Sequence, residues 1–316
     1  MTIRDARKKA FTILKNTPQP YRPQTPLLDI DCFLMLLLQK DKAFLLSHDD
    51  ALLTAEQLSL FENMITERST GRPVAYIVNR KEFWGLDFYV DESVLIPKSD
   101  TEILVEEAVC CSKKILENTS HAGILDLCCG SGCVGIALLH SLTKEFHAAG
   151  LAAGPEKTVR ITASDISRDA LDVAKKNYQS LIYPDTANTL ANAFSETDLI
   201  QSDVYVSDYF MNKKFDLIVS NPPYVPSSLT QELLKDGRRE PVLALDGGNE
   251  GLDVIERIIQ KAPSYLKQNG VILLETGEYN AVQTAQLLKE SGFSSIEHVK
   301  DLSGADRVVK ARFKSA

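Results

Sequence analysis

The sequence predicts an α/β protein: a doubly wound, mostly parallel, seven-stranded sheet with an antiparallel C-terminal strand, preceded by a small helical bundle and a β-hairpin. Three observations carry that prediction. From Ile124 onward, short apolar runs alternate with segments of helical period, which is the pattern of successive βα units. One of these runs, Ile124-Leu125-Asp126-Leu127, stops on a glycine-rich turn and restarts as an apolar helix. The first eighty residues, by contrast, look helical, with capped segments of helical periodicity.

Composition narrows the class. With 316 residues the chain is long for one domain, and 44% hydrophobic with 25% charged residues is enough to build a sizeable core. The 43 acidic residues exceed the 35 basic ones, giving a net charge of −8, which argues against a broad phosphate-binding surface. Six cysteines include the adjacent pairs Cys110-Cys111 and Cys128-Cys129, without Cys-x-x-Cys spacing or matching histidines. They read as reduced thiols serving as small apolar residues, and no metal site is expected. Arg4, Asp5, Arg7, Lys8 and Lys9 are followed by no apolar segment, so no signal peptide is read and a cytoplasmic protein is expected. The longest strongly apolar run, Cys32 to Leu38, is too short to span a bilayer.

Taken in order, Thr2 caps a helix through Asn16, ended by Pro18, Pro20 and Pro23. Thr25 and Pro26 place a cap and an N1 proline before a helix over Leu27 to Gln39. Thr54 and Gln57 form a capping box for a third helix, with Leu58, Phe61, Met64 and Ile65 on one face and Gly71 at its end. From Arg72 the period changes to that of a strand, with Val74, Tyr76 and Val78 alternating. Glu82 to Val90 then reads as two strands about Gly85. Residues 1–75 are thus expected as a helical domain, 76–96 as a hairpin linker and 97–316 as the sheet domain. Ser99 or Asp100 caps a helix to about Leu116, and the nearby Pro97, Lys98, Asp100 and Glu102 read equally well as a site wall or as a solvated helix start.

The chemistry gathers at strand ends. Cys128-Cys129-Gly130-Ser131-Gly132 followed by a helix over Cys133 to Leu142 puts unpaired N–H groups and the positive end of a helix at the carboxyl edge of the sheet. Gly130, Gly132 and Gly135 fit G-x-G-x-x-G, a weak signal alone. Its partner is Asp165, ending the strand from Val159, placed to take ribose hydroxyls. Asp165 comes later than the usual spacing of about 20 residues, and the excess lies in Lys144 to Lys157, an Ala/Gly-rich surface insertion. A second loose stretch, Pro184 to Thr197, precedes a strand from Leu199. Asp203 at its end is placed to accept from an adenine amino group. The strand Phe215 to Ser220 stops on Asn221-Pro222-Pro223-Tyr224. Two prolines fix φ and remove donors, so the chain leaves the sheet with carbonyls that nothing local satisfies. With the Asn221 carboxamide and the Tyr224 ring they form a cradle for a planar group that donates hydrogen bonds, an amide or an exocyclic amine. Helices over Leu252 to Ala262 and Asn280 to Glu290, a strand Gly270 to Glu275 and an antiparallel pair, Ser294 to Val299 with Val308 to Phe313, complete the sheet. From the residues alone, a nicotinamide dehydrogenase accounts for the glycines and not for Asn-Pro-Pro-Tyr. An N6-adenine methyltransferase accounts for both but calls for a basic face. A non-catalytic cofactor-binding module stays open as well.

The combination resembles the HemK or PrmC family, protein-glutamine N5-methyltransferases that modify peptide-chain release factors. The similarity runs over nearly the whole chain, through Pro73-Val74-Ala75-Tyr76-Ile77, Phe83-Trp84-Gly85-Leu86, Val94-Leu95-Ile96-Pro97, Asp126 to Gly132, Asn221 to Tyr224, Glu240-Pro241 and Ser303 to Arg307. Asn-Pro-Pro-Tyr alone is shared with N6-adenine methyltransferases; the other segments are more particular. The resemblance implies a Rossmann-like fold, S-adenosylmethionine as cofactor and the glutamine of a release factor's Gly-Gly-Gln loop as substrate. From the residues themselves, no exposed apolar stripe suggests an obligate dimer and a monomer is expected, while the acidic balance and the short apolar runs speak against nucleic-acid and membrane partners. The helical domain reads as a substrate-recognition domain or a cover for the site, with a purely structural role equally open. On the cofactor side the resemblance points to Asp126, to Cys128 and Cys129, to Gly130, Ser131 and Gly132, and to Asp165, Asp203, Val204 and Asn221. Asn221, Pro222, Pro223 and Tyr224 form the expected catalytic edge. Departures from the family pattern are Lys98, Ser99 and Asp100 in place of Arg-Pro-Glu, Cys128-Cys129 in place of Gly-Thr, and Val204 in place of an aromatic residue. A sister family modifies a ribosomal-protein glutamine, but Thr101-Glu102 and Ser303-Gly304-Ala305-Asp306-Arg307 favour release factors.

Overall fold

The computed structural model describes residues 1–148, 157–182 and 196–314. Most of both expected insertions, Lys144 to Lys157 and Pro184 to Thr197, lies outside the described residues. The chain forms two compact units, one of Met1–Arg80 with Gln231–Glu240, the other of Lys81–Thr230 with Pro241–Ala316.

The helical unit follows its caps. Helix α1 (Ile3–Asn16) starts where the Thr2 side chain accepts from Asp5 N, and its face of Ile3, Ala6, Ala10 and Leu14 is buried at helical spacing. Helix α2 (Pro26–Leu38) has Pro26 in its first turn, but the Thr25 hydroxyl bonds Asp29 Oδ1 instead of capping the helix. Asp29 and Asp31 are buried on α2 and are answered by Arg68 at 2.7 Å and Arg7 at 2.8 Å. A short helix α3 (Lys42–Ser47), capped by Asp41, has no counterpart in the sequence reading, since six residues are too few to show a period. In α4 (Ala55–Arg68) both halves of the Thr54/Gln57 capping box form. The alternation of Val74, Tyr76 and Val78 is not a strand but one helical turn, α5 (Val74–Val78). Five residues of alternating type fit either state, and Pro73 with Asn79 in the left-handed region at the other end decides for the turn. Phe33, Leu34, Leu45, Phe61 and Ile65 fill the core of this unit. Within the same unit Gly71 and Gly237 lie back to back. A Cβ on Gly71 would sit 2.2 Å from the Asp236 carbonyl, and one on Gly237 2.4 Å from that of Thr70.

The sheet unit opens with a hairpin, β1 (Lys81–Phe83) and β2 (Leu86–Phe88), whose turn residues Trp84 and Gly85 both have positive φ. Phe83 and Phe88 are buried edge to face. Helix α6 (Glu102–Asn118) follows a 3₁₀ turn over Ser99–Thr101, and the expected Ser99 or Asp100 side-chain cap is not made. Then come β3 (His121–Leu127), α7 (Cys133–Ala148), β4 (Thr158–Asp165), α8 (Arg168–Leu181), β5 (Glu196–Gln201), β6 (Phe215–Ser220), α9 (Ser227–Leu233), α10 (Val242–Leu245), α11 (Asp253–Tyr265), β7 (Leu266–Glu275), α12 (Ala281–Glu290), β8 (Phe293–Lys300) and β9 (Asp306–Phe313). The strand order is β5-β4-β3-β6-β7-β9-β8. Strands β3 to β7 pair in parallel, and β9 is antiparallel to both its neighbours. The inner strands are continuous apolar runs because helices cover both faces. Thus Ile124, Leu125, Ile218, Ile272 and Leu273 are wholly buried, and α11 turns Ile255, Ile258, Ile259 and Ala262 onto the sheet. The chain runs outward from β3 to β5 and resumes at β6 on the other side of β3. That reversal puts a crevice at the carboxyl ends of β3 and β6, where such sheets hold their ligands.

Candidate active site

Register fixes what meets in the crevice. Leu127 pairs with Ser220, and the Ser220 hydroxyl donates to the Leu127 carbonyl at 2.7 Å, so Cys128 and Asn221 leave the sheet side by side. Leu127 also pairs with Ser164, which brings Asp165 to the same edge. The cavity there is lined by Lys98, Gly130, Asp165, Val204 and Asn221 among others.

On the β3 and β4 side the structure spends main-chain groups. Cys128 has φ 57°, Gly130 52° and Gly132 77°. The expected open N–H groups of this turn are in large part already used: Cys129 N donates to Ser164 O (3.0 Å), Gly130 N to Asp165 Oδ2 (2.9 Å) and Gly132 N to Cys129 O (2.8 Å). A loop tied down in this way holds its shape without a ligand. Asp165 accepts from Ser167 N through its other oxygen at 2.9 Å. Burial raises its pKa while these N–H donors hold it down. Asp126 is 1% exposed and accepts from Gly135 N at 3.2 Å, anchoring the first turn of α7; burial pushes its carboxyl up to about 7. Gly135 admits no side chain, because a Cβ would lie 2.2 Å from the Tyr178 hydroxyl of α8. Burial also keeps the thiols of Cys128, Cys129 and Cys133 protonated. Asp203 lies two residues past the end of β5 and is paired with Arg257 of α11 at 2.6 Å. Val204 is buried with φ 56°, a strained conformation for a β-branched residue.

On the β6 side the groups are mostly side chains, with the main-chain carbonyl of Pro222 beside them. Asn221 Nδ2 donates to Thr101 Oγ1 at 3.1 Å, and among the described residues nothing donates to its Oδ1 or to the carbonyl of the buried Pro222. The Tyr224 hydroxyl donates to Glu275 Oε1 at 3.2 Å. Not every carbonyl after the prolines is unmet, however: that of Tyr224 accepts from Asn280 Nδ2 (3.1 Å) and from the Tyr279 hydroxyl (3.3 Å), both supplied by the chain after β7. Glu275 is 1% exposed, and burial pushes it up to about 7 against the opposing pull of the Thr101 and Tyr224 hydroxyls and of Arg307. Arg307 in turn pairs with Asp301 at 2.9 Å and Asp100 at 3.4 Å.

Of the residues the sequence singles out, Asp126, Cys128 to Ser131, Asp165, Asp203, Val204, Asn221 and Pro223 line this cavity, whereas Gly132, Pro222 and Tyr224 are not among its lining residues. The structure adds Thr101 as a hydrogen-bond partner, Asn177, Arg257 and Glu275. Asn177 is wholly buried and joins the hairpin to the glycine turn, donating to Tyr89 O and Ser131 O at 3.0 Å each and accepting from Tyr89 N at 2.8 Å. A polar residue among Ala170, Leu171, Val173 and Ala174 on one helix face was a local signal for it.

A glycine turn after the first parallel strand, an acid after the second and a paired-acceptor edge after the fourth are the parts of a class I methyltransferase. Comparison agrees: residues 118–309 match the methyltransferase domain family, and residues 6–78 match the PrmC N-terminal domain. The chain is 34% identical over 312 residues, 98% of each chain, to the release factor glutamine methyltransferase of Clostridium acetobutylicum. It is 35% identical over 286 residues, 90% of this chain and 89% of the relative, to that of Shewanella oneidensis. In fold alone it is similar to the hMettl16 catalytic domain solved with the MAT2A 3′UTR hairpin 1, at a TM-score of 0.51 and 13% identity, covering 85% of this chain and 84% of that one. The chain belongs to the release factor glutamine methyltransferase family. Among the described residues no helix is long and apolar enough to cross a membrane.

Proposed function

We propose that the protein transfers a methyl group from S-adenosylmethionine to the side-chain amide nitrogen, N5, of the glutamine in the Gly-Gly-Gln loop of a peptide-chain release factor. The observation that carries the proposal is the pair of successive acceptors, Asn221 Oδ1 and Pro222 O, that have no intramolecular donor among the described residues and stand beside the glycine turn. A primary amide has two N–H bonds to give, and these are two places to give them.

The residues fit the cofactor. Gly130 leaves room for close approach, since nothing lies within 4 Å of a Cβ there, and in this reading the Asp165 carboxylate takes the ribose hydroxyls. Asp203, held by Arg257, and Val204 line the same cavity and in this reading take the adenine. S-adenosylmethionine, when bound, supplies a methyl group on a sulfonium centre open to in-line displacement. The protein's own task is then to orient the acceptor nitrogen and exclude water. An amide nitrogen is a weak nucleophile because its lone pair is delocalised into the carbonyl. Accepting both N–H bonds at Asn221 Oδ1 and Pro222 O draws the nitrogen toward a tetrahedral geometry and frees the pair. Pro223 stiffens the exit, and the Tyr224 ring, with its hydroxyl held by Glu275, packs on the amide plane. No general base is required, since the nitrogen becomes acidic once methylated and its proton leaves to water.

In this reading residues 1–75 recognise the release factor, residues 76–96 join them to the catalytic domain of 97–316, and the protein works as a cytoplasmic monomer. The test offers labelled S-adenosylmethionine with release factor, ribosomal proteins or DNA. Label is expected on the release factor. Label on a ribosomal-protein glutamine or on adenine instead would replace this reading with the corresponding one.

A further inference from the structure

The two ends of an asparagine side chain are nearly alike in shape, but only the oxygen end accepts the N–H bonds of an amide. What turns that end of Asn221 toward the cavity is a row of buried groups behind it. Nδ2 lies 3.1 Å from Thr101 Oγ1, and Thr101 is 2% exposed at the close of its 3₁₀ turn. The Thr101 hydroxyl also faces the Glu275 carboxyl group. Glu275 Oε1 accepts from Tyr224, while its buried Oε2 has no hydrogen-bond partner among the described residues. An ionised carboxylate only accepts. Thr101 Oγ1 accepts from Asn221 Nδ2, which holds the Asn221 amide with Oδ1 outward.

We propose that Thr101 and Glu275 are positioning residues for methyl transfer: together they fix the flip of the Asn221 carboxamide and the set of the Tyr224 ring, so that the site takes an N–H₂ group. This inference rests on the function proposed above and adds the device that enforces it. The device has a polarity that a proton reverses. If Glu275 is protonated it can donate to Thr101, which then turns its own proton toward Asn221, and the carboxamide presents donors to the substrate where acceptors are needed. Arg307 of β9 favours the ionised form and Asp100 opposes it. Tyr224 and Cys133, which also face Glu275, are kept neutral by burial. Because burial raises Glu275 to about 7, kcat is expected to rise with pH through that value and to fall below it.

The experiment measures kcat on release factor, cofactor affinity by calorimetry and the pH profile. Thr101→Val keeps the shape and removes the hydroxyl, and is expected to lower kcat about a hundred-fold with cofactor affinity held within about three-fold. Thr101→Ser returns the hydroxyl and is expected to recover most of kcat. Glu275→Gln is expected to lower kcat and abolish the acid limb, which Asp126→Asn, at the other buried carboxyl near 7, leaves in place. A Thr101→Val enzyme with wild-type kcat overturns the proposal, as does an acid limb that survives Glu275→Gln and disappears in Asp126→Asn. Should Glu275→Gln not fold, the Thr101 pair decides alone. A wild-type protein that methylates no release factor overturns the functional reading first, and is seen before any variant is compared.

Discussion

The two edges of the cavity are made of different material. The edge after β3 and β4 is largely main chain: a tied turn, N–H groups accepted by Asp165 and Asp126, and backbone in the left-handed region at Cys128 and Val204. The edge after β6 is mostly a set of side chains brought from far apart in the sequence, with Asn221 against Thr101 and Tyr224 against Glu275. Main-chain geometry tolerates a change of side chain, whereas a hydrogen-bonded row of side chains does not. The departures from the family pattern at Cys128, Cys129 and Val204 fall on the tolerant edge, those at Lys98, Ser99 and Asp100 fall in and before the turn that carries Thr101, and the substrate edge keeps the whole of Asn-Pro-Pro-Tyr.

That difference can be broken or sharpened by substitution. The largest effect is expected from Asn221→Ala, with kcat lower by about a hundred- to a thousand-fold, the usual cost of one preorganised hydrogen-bonding group, and cofactor affinity within a few fold by calorimetry. Asp165→Ala is expected to act on the other quantity. It removes a charge-assisted acceptor worth about 1 to 3 kcal/mol, so cofactor binding weakens about ten- to a hundred-fold while kcat at saturation changes less. Gly135→Ala forces a methyl against the Tyr178 hydroxyl and is expected to cost about 1 to 3 kcal/mol of stability, read as a lower Tm, with no direct loss in chemistry. Smallest is Cys128→Gly, which releases a non-glycine residue from φ 57° and is expected to raise Tm by a few degrees, the relief being about 1 kcal/mol, at unchanged kcat. A large activity loss from Cys128→Gly would show that the main-chain edge is less tolerant than its construction implies.

What was legible in the sequence was what is local. Strand runs, the glycine turn, Asp165 and the Asn-Pro-Pro-Tyr exit each announce themselves within a few residues, and the register of β3 with β6 then brings them together. Short elements carry too little period to be read: the six residues of α3 show none, and the alternation in α5 fits a strand as well as a helical turn. The cap expected of Thr25 went unmade because its hydroxyl found the Asp29 carboxylate instead. Asp126 offered a carboxylate beside the turn, but only the fold shows it buried and bound to Gly135 N. Glu275 closes an apolar strand and reads from sequence as one more strand end. Its importance depends on Thr101, Tyr224 and Arg307 arriving from three other elements, which no local pattern encodes.

The most direct test of the account is to find where the methyl group goes. Release factor incubated with the protein and S-adenosylmethionine, digested and sequenced by tandem mass spectrometry, is predicted to carry a single methyl on the side chain of the Gly-Gly-Gln glutamine. None is expected when that glutamine is replaced by glutamate. A methyl group found on any other residue, or retained after the replacement, would contradict the assignment of the Asn221 edge to amide methylation.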